Sequence, residues 1–375
     1  LGTTMASVAL AFAVLDDGGS ATELGYVFAA AIVPQVVFML LGGAVADRFG
    51  RRRIMIAADL GRSSTQGALA AALFVGHPPI GLFVVLSGGL GVGNAFFQPA
   101  LSGLTVEIAP AEELGDANAL FGLAYSGAAV LGPALAGVIV AAANPATVLA
   151  VDAGSYAISA LALSGLELPA SDRLHSHSLV RDLAQGWEEF RSRTWVWITT
   201  LQFALFNLIA WGPFLLLGPV LSKNYLGGAR SWGAIVAAFG LGSGVGGLAA
   251  LGKRPRRPLL VAIAGTIGSG LPLALLALSA RTLEVAAGAL VAGVGAATFN
   301  IFWHTALQQQ VPEGAQARVG AFVSVGAYCA GPIAYAAAGP VASLIGAHLL
   351  LGIGAAWTTL ASLSVIVLPA IRAIR

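Results

Sequence analysis

Ionisable side chains are scarce in this chain, and where they cluster they limit the chemistry open to it. The densest group is Gly43-Ala-Val-Ala-Asp47-Arg48-Phe-Gly50-Arg51-Arg52-Arg53, one carboxylate among four guanidiniums. At this spacing Asp47 can accept charge-assisted hydrogen bonds from Arg48 or Arg51, or backbone N–H bonds from the start of a neighbouring helix. Gly43 and Gly50 permit close backbone approach and a tight turn. Glu107 is a further partner for Arg48 or Arg51, its plainer role being a solvated loop carboxylate. Arginines serving only as a membrane-surface anchor would need neither the Asp nor the glycines.

A second group is polar but uncharged. Asn94, Phe97 and Gln98 stand at i, i+3 and i+4, one face of a helix, and Asn300, Trp303 and His304 repeat that spacing. Gln202, Asn207 and Trp211 lie close together in another apolar run. An amide at membrane depth is costly unless it faces water, a ligand or a partner helix, so these residues read as the lining of a substrate cavity or as interhelical hydrogen bonds.

Groups that can carry a proton are few: Asp16, Asp152 and His304, the last because imidazole titrates near neutrality. Asp152 stands near Ser155 and Tyr156, where a scaffold role is the plainer one. Asp59 and Arg62, at i and i+3, read as a structural pair. His175 and His177 form a His-x-His pair with no third ligand in sight, so no metal is expected. Gly242-Ser-Gly244-Val-Gly-Gly247 fits a dinucleotide fingerprint formally, but it follows no strand and reads as close packing through Gly240 and Gly244. Cys329 is the only cysteine, which rules out an internal disulfide. No clustered nucleophile, base and acid is evident, so neither an enzyme nor a cofactor is expected.

What must position these groups is a membrane domain. The chain of 375 residues is 57% hydrophobic and 10% charged, whereas a soluble domain carries about 25% charged residues. Apolar runs recur with short breaks and predict helices ending near 15 and spanning 22–46, 54–76, 79–106, 115–143 and 146–168. A second series spans 195–221, 230–252, 258–279, 282–308, 316–343 and 345–369. The chain opens at Leu1 inside an apolar run, so the first helix is expected to lack its start, and residues 1–15 do not read as a signal peptide. With the Asp47 segment placed inside, only Lys223, Arg230 and Arg281 of the 19 Lys and Arg residues would face outside, which is the bias the positive-inside rule demands. Both termini are then cytoplasmic. Between the two series, Leu179, Leu183, Trp187 and Phe190 share one helical face and predict an amphipathic helix on the inner membrane surface.

The two series repeat. Asn94–Leu101 aligns with Asn300–Leu307, and Gly127-Ala128, Gly132 and Pro133 align with Gly326-Ala327, Gly331 and Pro332. Lys253-Arg254-Pro-Arg256-Arg257 is a degenerate counterpart of the first basic loop, without its Asp. The expected organisation is an all-α membrane protein of twelve transmembrane helices in two pseudo-symmetric six-helix bundles, residues 1–168 and 195–375, joined by a cytoplasmic linker over 169–194.

The pattern G-x-x-x-D-R-x-G-R-R, between the second and third helices, resembles the loop signature of the major facilitator superfamily of transporters at every defining position. The resemblance implies that Gly43, Asp47, Arg48, Gly50, Arg51, Arg52 and Glu107 form a latch that breaks as the carrier switches. It also implies that the first, fourth, seventh and tenth helices line the cavity. Gly127, Gly132, Pro133 and Gly137 resemble the fifth-helix signature of the superfamily's proton-coupled exporters, although Val138 stands where a second Gly is usual. Gln98-Pro99-Ala100 and Leu307–Glu313 with Arg318-Val319 are similar to the branch holding the enterobactin exporter and macrolide or multidrug efflux carriers. The expected function is export of an amphipathic small molecule, of drug or siderophore type, by proton antiport. The protein would be a monomer in the bacterial inner membrane, with no nucleic-acid partner. A lysophospholipid flippase or nutrient importer of the same fold is the alternative, and a non-transporting membrane sensor or enzyme the remote one.

Overall fold

In the computed structural model, which describes residues 1–108, 113–166, 187–253 and 255–372, every regular element is helical. The first series comprises α1 (Gly2–Asp16), α2 (Ala21–Phe49), α3 (Arg51–Val75), α4 (Ile80–Ile108), α5 (Leu114–Ala142) and α6 (Pro145–Ser164). The second comprises α7 (Thr194–Leu226), α8 (Ala229–Ala250), α9 (Pro258–Ala277) and α10 (Thr282–Gln310), then α11 (Glu313–Tyr328), α12 (Ala330–Ile345) and α13 (Ala347–Val367). A four-residue turn, Pro369–Arg372, follows. Among the described residues, ten helical stretches are long and apolar enough to cross a membrane; α1 is shorter, and α3 carries too many polar residues. The helices occupy the expected positions, with ends that differ by a few residues, except that the helix expected over 316–343 is broken at Cys329 into α11 and α12.

Local chemistry sets those ends. Ser20 caps α2: its Oγ accepts from Glu23 N at 3.2 Å, and Ser20 N donates to Glu23 Oε2 at 2.8 Å, a reciprocal capping box. Asn144 Oδ1 accepts from Thr147 N at the start of α6, where Pro145 takes the first helical position. Gly50, at φ +93°, makes the one-residue turn between α2 and α3. In α7 the ladder widens into π-helical turns at Asn207–Trp211 and Ser222–Leu226.

The chain divides into two compact units, Leu1–Leu174 with Ser222–Gly233, and His175–Leu221 with Ala234–Arg375. In the first, glycines bring backbones into contact. A Cβ at Gly42 would overlap the Ala95 carbonyl oxygen, and one at Gly91 the Ala31 carbonyl oxygen, which locks α2 against α4. Ser222–Gly233 belongs to this unit, and Gly233 lies against the Pro133 carbonyl and Gly137 of α5. In the second unit, Gly242 and Gly246 of α8 meet the carbonyls of Leu290 and Val294 on α10, and Gly293 meets that of Phe239. The expected pair was Gly240 and Gly244; Gly244 instead faces open space, because the contact row runs two residues further on.

The core of the second unit is aromatic. Trp195 meets Trp303 edge-on at 5.3 Å, Trp303 stacks with Phe299 at 6.1 Å, and Phe299 stacks with Phe203 at 5.8 Å. Of the expected amphipathic segment, residues 187–192 are helical, and Trp187 and Phe190 stack with each other and meet the Phe322 ring of α11 at a tilt. Its other named residues, Leu179, Leu183, His175 and His177, lie outside the described residues.

The glycine contacts are testable. An Ala in place of Gly in a helix is ordinarily favourable by up to about 1 kcal/mol, and Gly61→Ala, with open space at its Cβ, should keep or raise the thermal midpoint in detergent. Gly91→Ala forces α2 and α4 apart, and overpacking of this kind costs roughly 1–3 kcal/mol. Its midpoint should fall, as read by loss of the monodisperse size-exclusion peak on heating; equal midpoints would remove the close α2–α4 contact.

Candidate functional site

Three helices of the first unit, α3, α4 and α6, meet at one guanidinium. Arg62 of α3 is 4% exposed, and Asp59, one helical turn before it, is fully buried. Arg62 Nη2 contacts Asp59 Oδ1, and Nη1 donates to Asn94 Oδ1 of α4 at 3.2 Å. The guanidinium lies between two rings, with its Cζ 3.9 Å from the Phe97 centroid and 4.4 Å from the Tyr156 centroid. Cation–π contacts of this kind reach about 2 kcal/mol when desolvated. Gly93 makes the room, since a Cβ there would strike the Arg62 side chain at Cγ.

A second carboxylate completes the network. Asp152 of α6 is fully buried; its Oδ2 accepts from Gln66 Nε2 at 2.8 Å, and its Oδ1 accepts from Ser155 Oγ at 3.5 Å. The Tyr156 hydroxyl meets Thr3 Oγ1 of α1 at 3.0 Å. Asp59 Oδ2 and Arg62 Nε are buried without a hydrogen-bond partner among the described residues. A buried network with unmet polar atoms carries a standing electrostatic cost.

The loop between α2 and α3 carries the residues expected to act as the latch. Arg51 Nε and Nη2 donate to Asp47 Oδ1 at 3.1 and 3.0 Å across the Gly50 turn. Arg51 runs against α4, where Gly103 leaves no room for a Cβ beside the guanidinium. Arg52 turns the other way: its Nε donates to Leu163 O at 2.7 Å and its Nη2 to Ser164 O, holding the C-terminus of α6. A cation there also complements the helix dipole. Arg48 lies over its neighbour Phe49, 5.5 Å from the ring centroid. Gly43 faces Pro99 at ordinary contact distance. The side chain of Glu107 lies outside the described residues.

On α5, Gly132 and Gly137 are contact positions. Gly132 faces Thr4, whose hydroxyl donates to Ala128 O at 2.9 Å, and Gly137 faces Ala229 O. Gly127 has open space at its Cβ.

The expected cavity residues separate. Asn94 and Phe97 join the buried network, while Gln98 one residue on is exposed. Asn300 and His304 are exposed, with Asn300 Nδ2 donating to Ala296 O at 3.0 Å. Trp303 was expected on their face; at 4% exposure it is instead part of the aromatic core, because its indole reaches sideways to Trp195. Asn207 Nδ2 donates to Phe203 O at 2.9 Å and Ala327 O at 3.4 Å, spanning α7 and α11. Trp211 stacks among Phe206, Phe214 and Phe239. Gln202 Oε1 is buried and without a partner among the described residues. None of these residues lines the two clefts within single units, of about 440 and 270 Å³.

Of the expected proton carriers, Asp16 is half-exposed and pairs with Lys223 Nζ at 2.8 Å, and His304 is exposed. Only Asp152 is buried. Gln66 escaped the reading of the sequence. Its signal was the spacing of Asp59, Arg62 and Gln66 at i, i+3 and i+7, a polar stripe on a helix that otherwise reads as lipid-spanning.

Residues 1–336 match the family description of the Major Facilitator Superfamily. The chain belongs to this superfamily. As a member it is a multi-pass membrane transporter. It is 25% identical over 361 residues to the multidrug efflux pump Tap of Mycolicibacterium fortuitum, covering 92% of this chain and 87% of that protein. It is 25% identical over 264 residues to macrolide efflux protein A of Streptococcus pyogenes, covering 68% of this chain and 64% of that protein. Solved superfamily transporters share the fold. The nucleoside transporter NupG superposes with a TM-score of 0.71 at 13% identity, over 99% of this chain and 98% of that one. A D-xylose–proton symporter superposes with a TM-score of 0.70 at 16% identity, over 97% and 96%.

Two measurements probe this site. The Asp47–Arg51 pair has an Asp side chain that is 64% exposed, and such pairs contribute only about 0–1 kcal/mol to stability. Asp47→Asn should therefore insert and fold normally yet cut transport far more than Arg53→Gln; equal mild losses would leave the loop a plain anchor. In a Cys329-free background, cysteines at Gln98, Asn300 and His304 should react quickly with a small water-soluble thiol reagent, and a cysteine at Asn94 slowly. No reaction at the first three would place them in lipid or dry contacts.

Proposed function

We propose that this transporter is an exporter that moves an amphipathic small molecule, of drug or siderophore type, out of the cytoplasm in exchange for protons. The observation that carries this reading is the likeness to an efflux pump over 92% of the chain. It is supported by α5, where Gly132 and Gly137 occupy close-contact positions in a stretch that resembles the exporter signature. Its place is the bacterial inner membrane, as a monomer with both termini cytoplasmic, in keeping with the arginine bias.

In this reading two six-helix halves rock about a site near the midplane and expose it to each side in turn. The cavity is lined from α4, α7 and α10 by Asn94, Phe97, Gln98, Gln202, Asn207, Asn300 and His304, with Trp211 close by. The Asp47 latch, with Arg48, Arg51, Arg52 and Glu107, holds one state and opens in the other. Substrate and proton compete, so that proton entry expels substrate. Asp16, His304 and Asp152 are the groups from which the proton carrier is drawn. The solved neighbours include carriers of nucleosides and of D-xylose, but at 13–16% identity they speak for the fold alone.

Inverted membrane vesicles test direction and driving force together. With an acid lumen, the protein should drive ethidium or erythromycin into the lumen, and a protonophore should stop it. Uptake that persists with the gradient collapsed would end the antiport reading. Movement only toward the cytoplasmic face would end the exporter reading and put a lipid or nutrient importer in its place.

A further inference from the structure

We infer that Asp152, within the buried network of α1, α3, α4 and α6, is the group that binds the coupling proton, with Asp59 and Arg62 as the ion pair beside it. The inference deepens the antiport reading above and rests on it. The first argument is the balance of buried charge. Asp59 and Asp152 are fully buried and Arg62 is 4% exposed. A guanidinium stays charged in a protein, so two ionised carboxylates around it would leave a net negative charge among apolar helices. Stranded charge of this kind is among the costliest features of a membrane interior. One bound proton removes it.

Geometry decides which carboxyl takes that proton. Asp59 touches the guanidinium directly. Asp152 forms no ion pair among the described residues; its hydrogen-bond donors are the neutral Gln66 amide and Ser155 hydroxyl. The charged and titratable groups around it are few. They are Asp59 and Arg62 from α3 and Tyr156 on its own helix, while Thr3, which α1 brings to the Tyr156 hydroxyl, is uncharged. α4 brings Asn94 and Phe97, which are uncharged, and α5 brings no titratable side chain to it among the described residues.

The network also offers a means of coupling. Asn94 and Phe97, on the face expected to meet substrate, are the residues that hold Arg62 from the α4 side. Ionised Asp152 attracts the guanidinium toward α6, and protonated Asp152 releases it toward Asp59 and Asn94. A ligand seated on Asn94 and Phe97 and a proton on Asp152 therefore act on one shared side chain from opposite sides. The step itself is a proton binding: on the outer side hydronium gives its proton to a carboxylate oxygen, one O–H bond breaking as another forms and a water left behind, and on the cytoplasmic side the carboxyl O–H breaks as a water takes the proton up as hydronium.

Infrared spectroscopy reads this without substrate. The whole chain in liposomes is titrated from acid to alkaline pH, and its difference spectrum should hold a carboxylic-acid C=O band from an apolar site. The band should vanish in Asp152→Asn, move but persist in Asp152→Glu, and stay in Asp16→Asn. A band that survives Asp152→Asn overturns the assignment. In the same liposomes, ethidium accumulation driven by an imposed pH gradient should fall about tenfold in Asp152→Asn, a typical coupling free energy, and recover in part in Asp152→Glu. Gradient-driven wild type with an unaffected Asp152→Asn sinks the assignment alone. A wild-type protein indifferent to the gradient sinks the antiport reading, and the coupling role with it.

Discussion

A guanidinium placed among apolar helices has to be satisfied where it stands, and the first unit is arranged around that requirement. Arg62 cannot reach water at 4% exposure, and leaving it unpaired would cost more than any single packing contact in the unit supplies. Each neighbouring helix therefore contributes something to it. Its own helix gives Asp59, α4 gives Asn94 and the Phe97 ring, and α6 gives the Tyr156 ring. α1 is drawn in through Thr3 on the Tyr156 hydroxyl. The absence of a side chain at Gly93 is part of the same solution. The polarity that keeps α3 from reading as an ordinary membrane span is thus the polarity that fixes its neighbours.

The remaining contacts follow from the solvent. Lipid offers no hydrophobic drive to press one helix on another, so association depends on close backbone approach and on hydrogen bonds. Gly42 and Gly91 supply the first between α2 and α4, and Gly242, Gly246 and Gly293 between α8 and α10. Hydroxyls supply the second between helices: Ser63 donates to Ala153 O at 2.8 Å, Thr4 donates to Ala128 O at 2.9 Å, and Thr266 meets Ser362 at 2.7 Å. The face of α2 turned away from these contacts carries Val33, Val37 and Leu41, exposed at four-residue spacing. In water that stripe would be a liability; in a membrane it is the ordinary outer surface.

The elements themselves were readable in the sequence, because apolar run length and short polar breaks carry the signal, and Gly50 and Pro145 mark the boundaries. The loop motif was readable for the same reason: its residues are adjacent in sequence, and Arg51 reaches Asp47 within one turn. The buried network was not, since periodicity assigns a residue to a face but does not say which helix that face meets. Asp59 with Arg62 could be paired by spacing, whereas Gln66 with Asp152 joins α3 to α6 across the fold. The same blindness put Trp303 on the face of Asn300 and His304. Helical spacing was satisfied, but a long indole is directed by the hole it fills, here beside Trp195.

The two series of helices show how one backbone plan can be filled in two ways. The alignment that pairs Asn94 with Asn300 pairs Phe97 with Trp303, Gly93 with Phe299, and Asp59 and Arg62 with Gly265 and Gly268. Where the first unit clears a glycine to admit a guanidinium, the second fills the space with Phe299 stacked on Trp303 and Phe203. With no charge to satisfy, Gly265 closes directly on the Gly295 backbone, and the helix tightens into a 3₁₀ turn at Ile267–Gly270. The polar contact that remains there is neutral, Thr266 with Ser362 at 2.7 Å. Aromatic stacking and hydroxyl pairs do not change with pH, whereas a site of two carboxylates and one guanidinium does. The duplicated plan thus keeps its buried titratable carboxylates, among the described residues, on one side of the repeat. The other side carries aromatic stacking and a neutral hydroxyl pair at the matching positions.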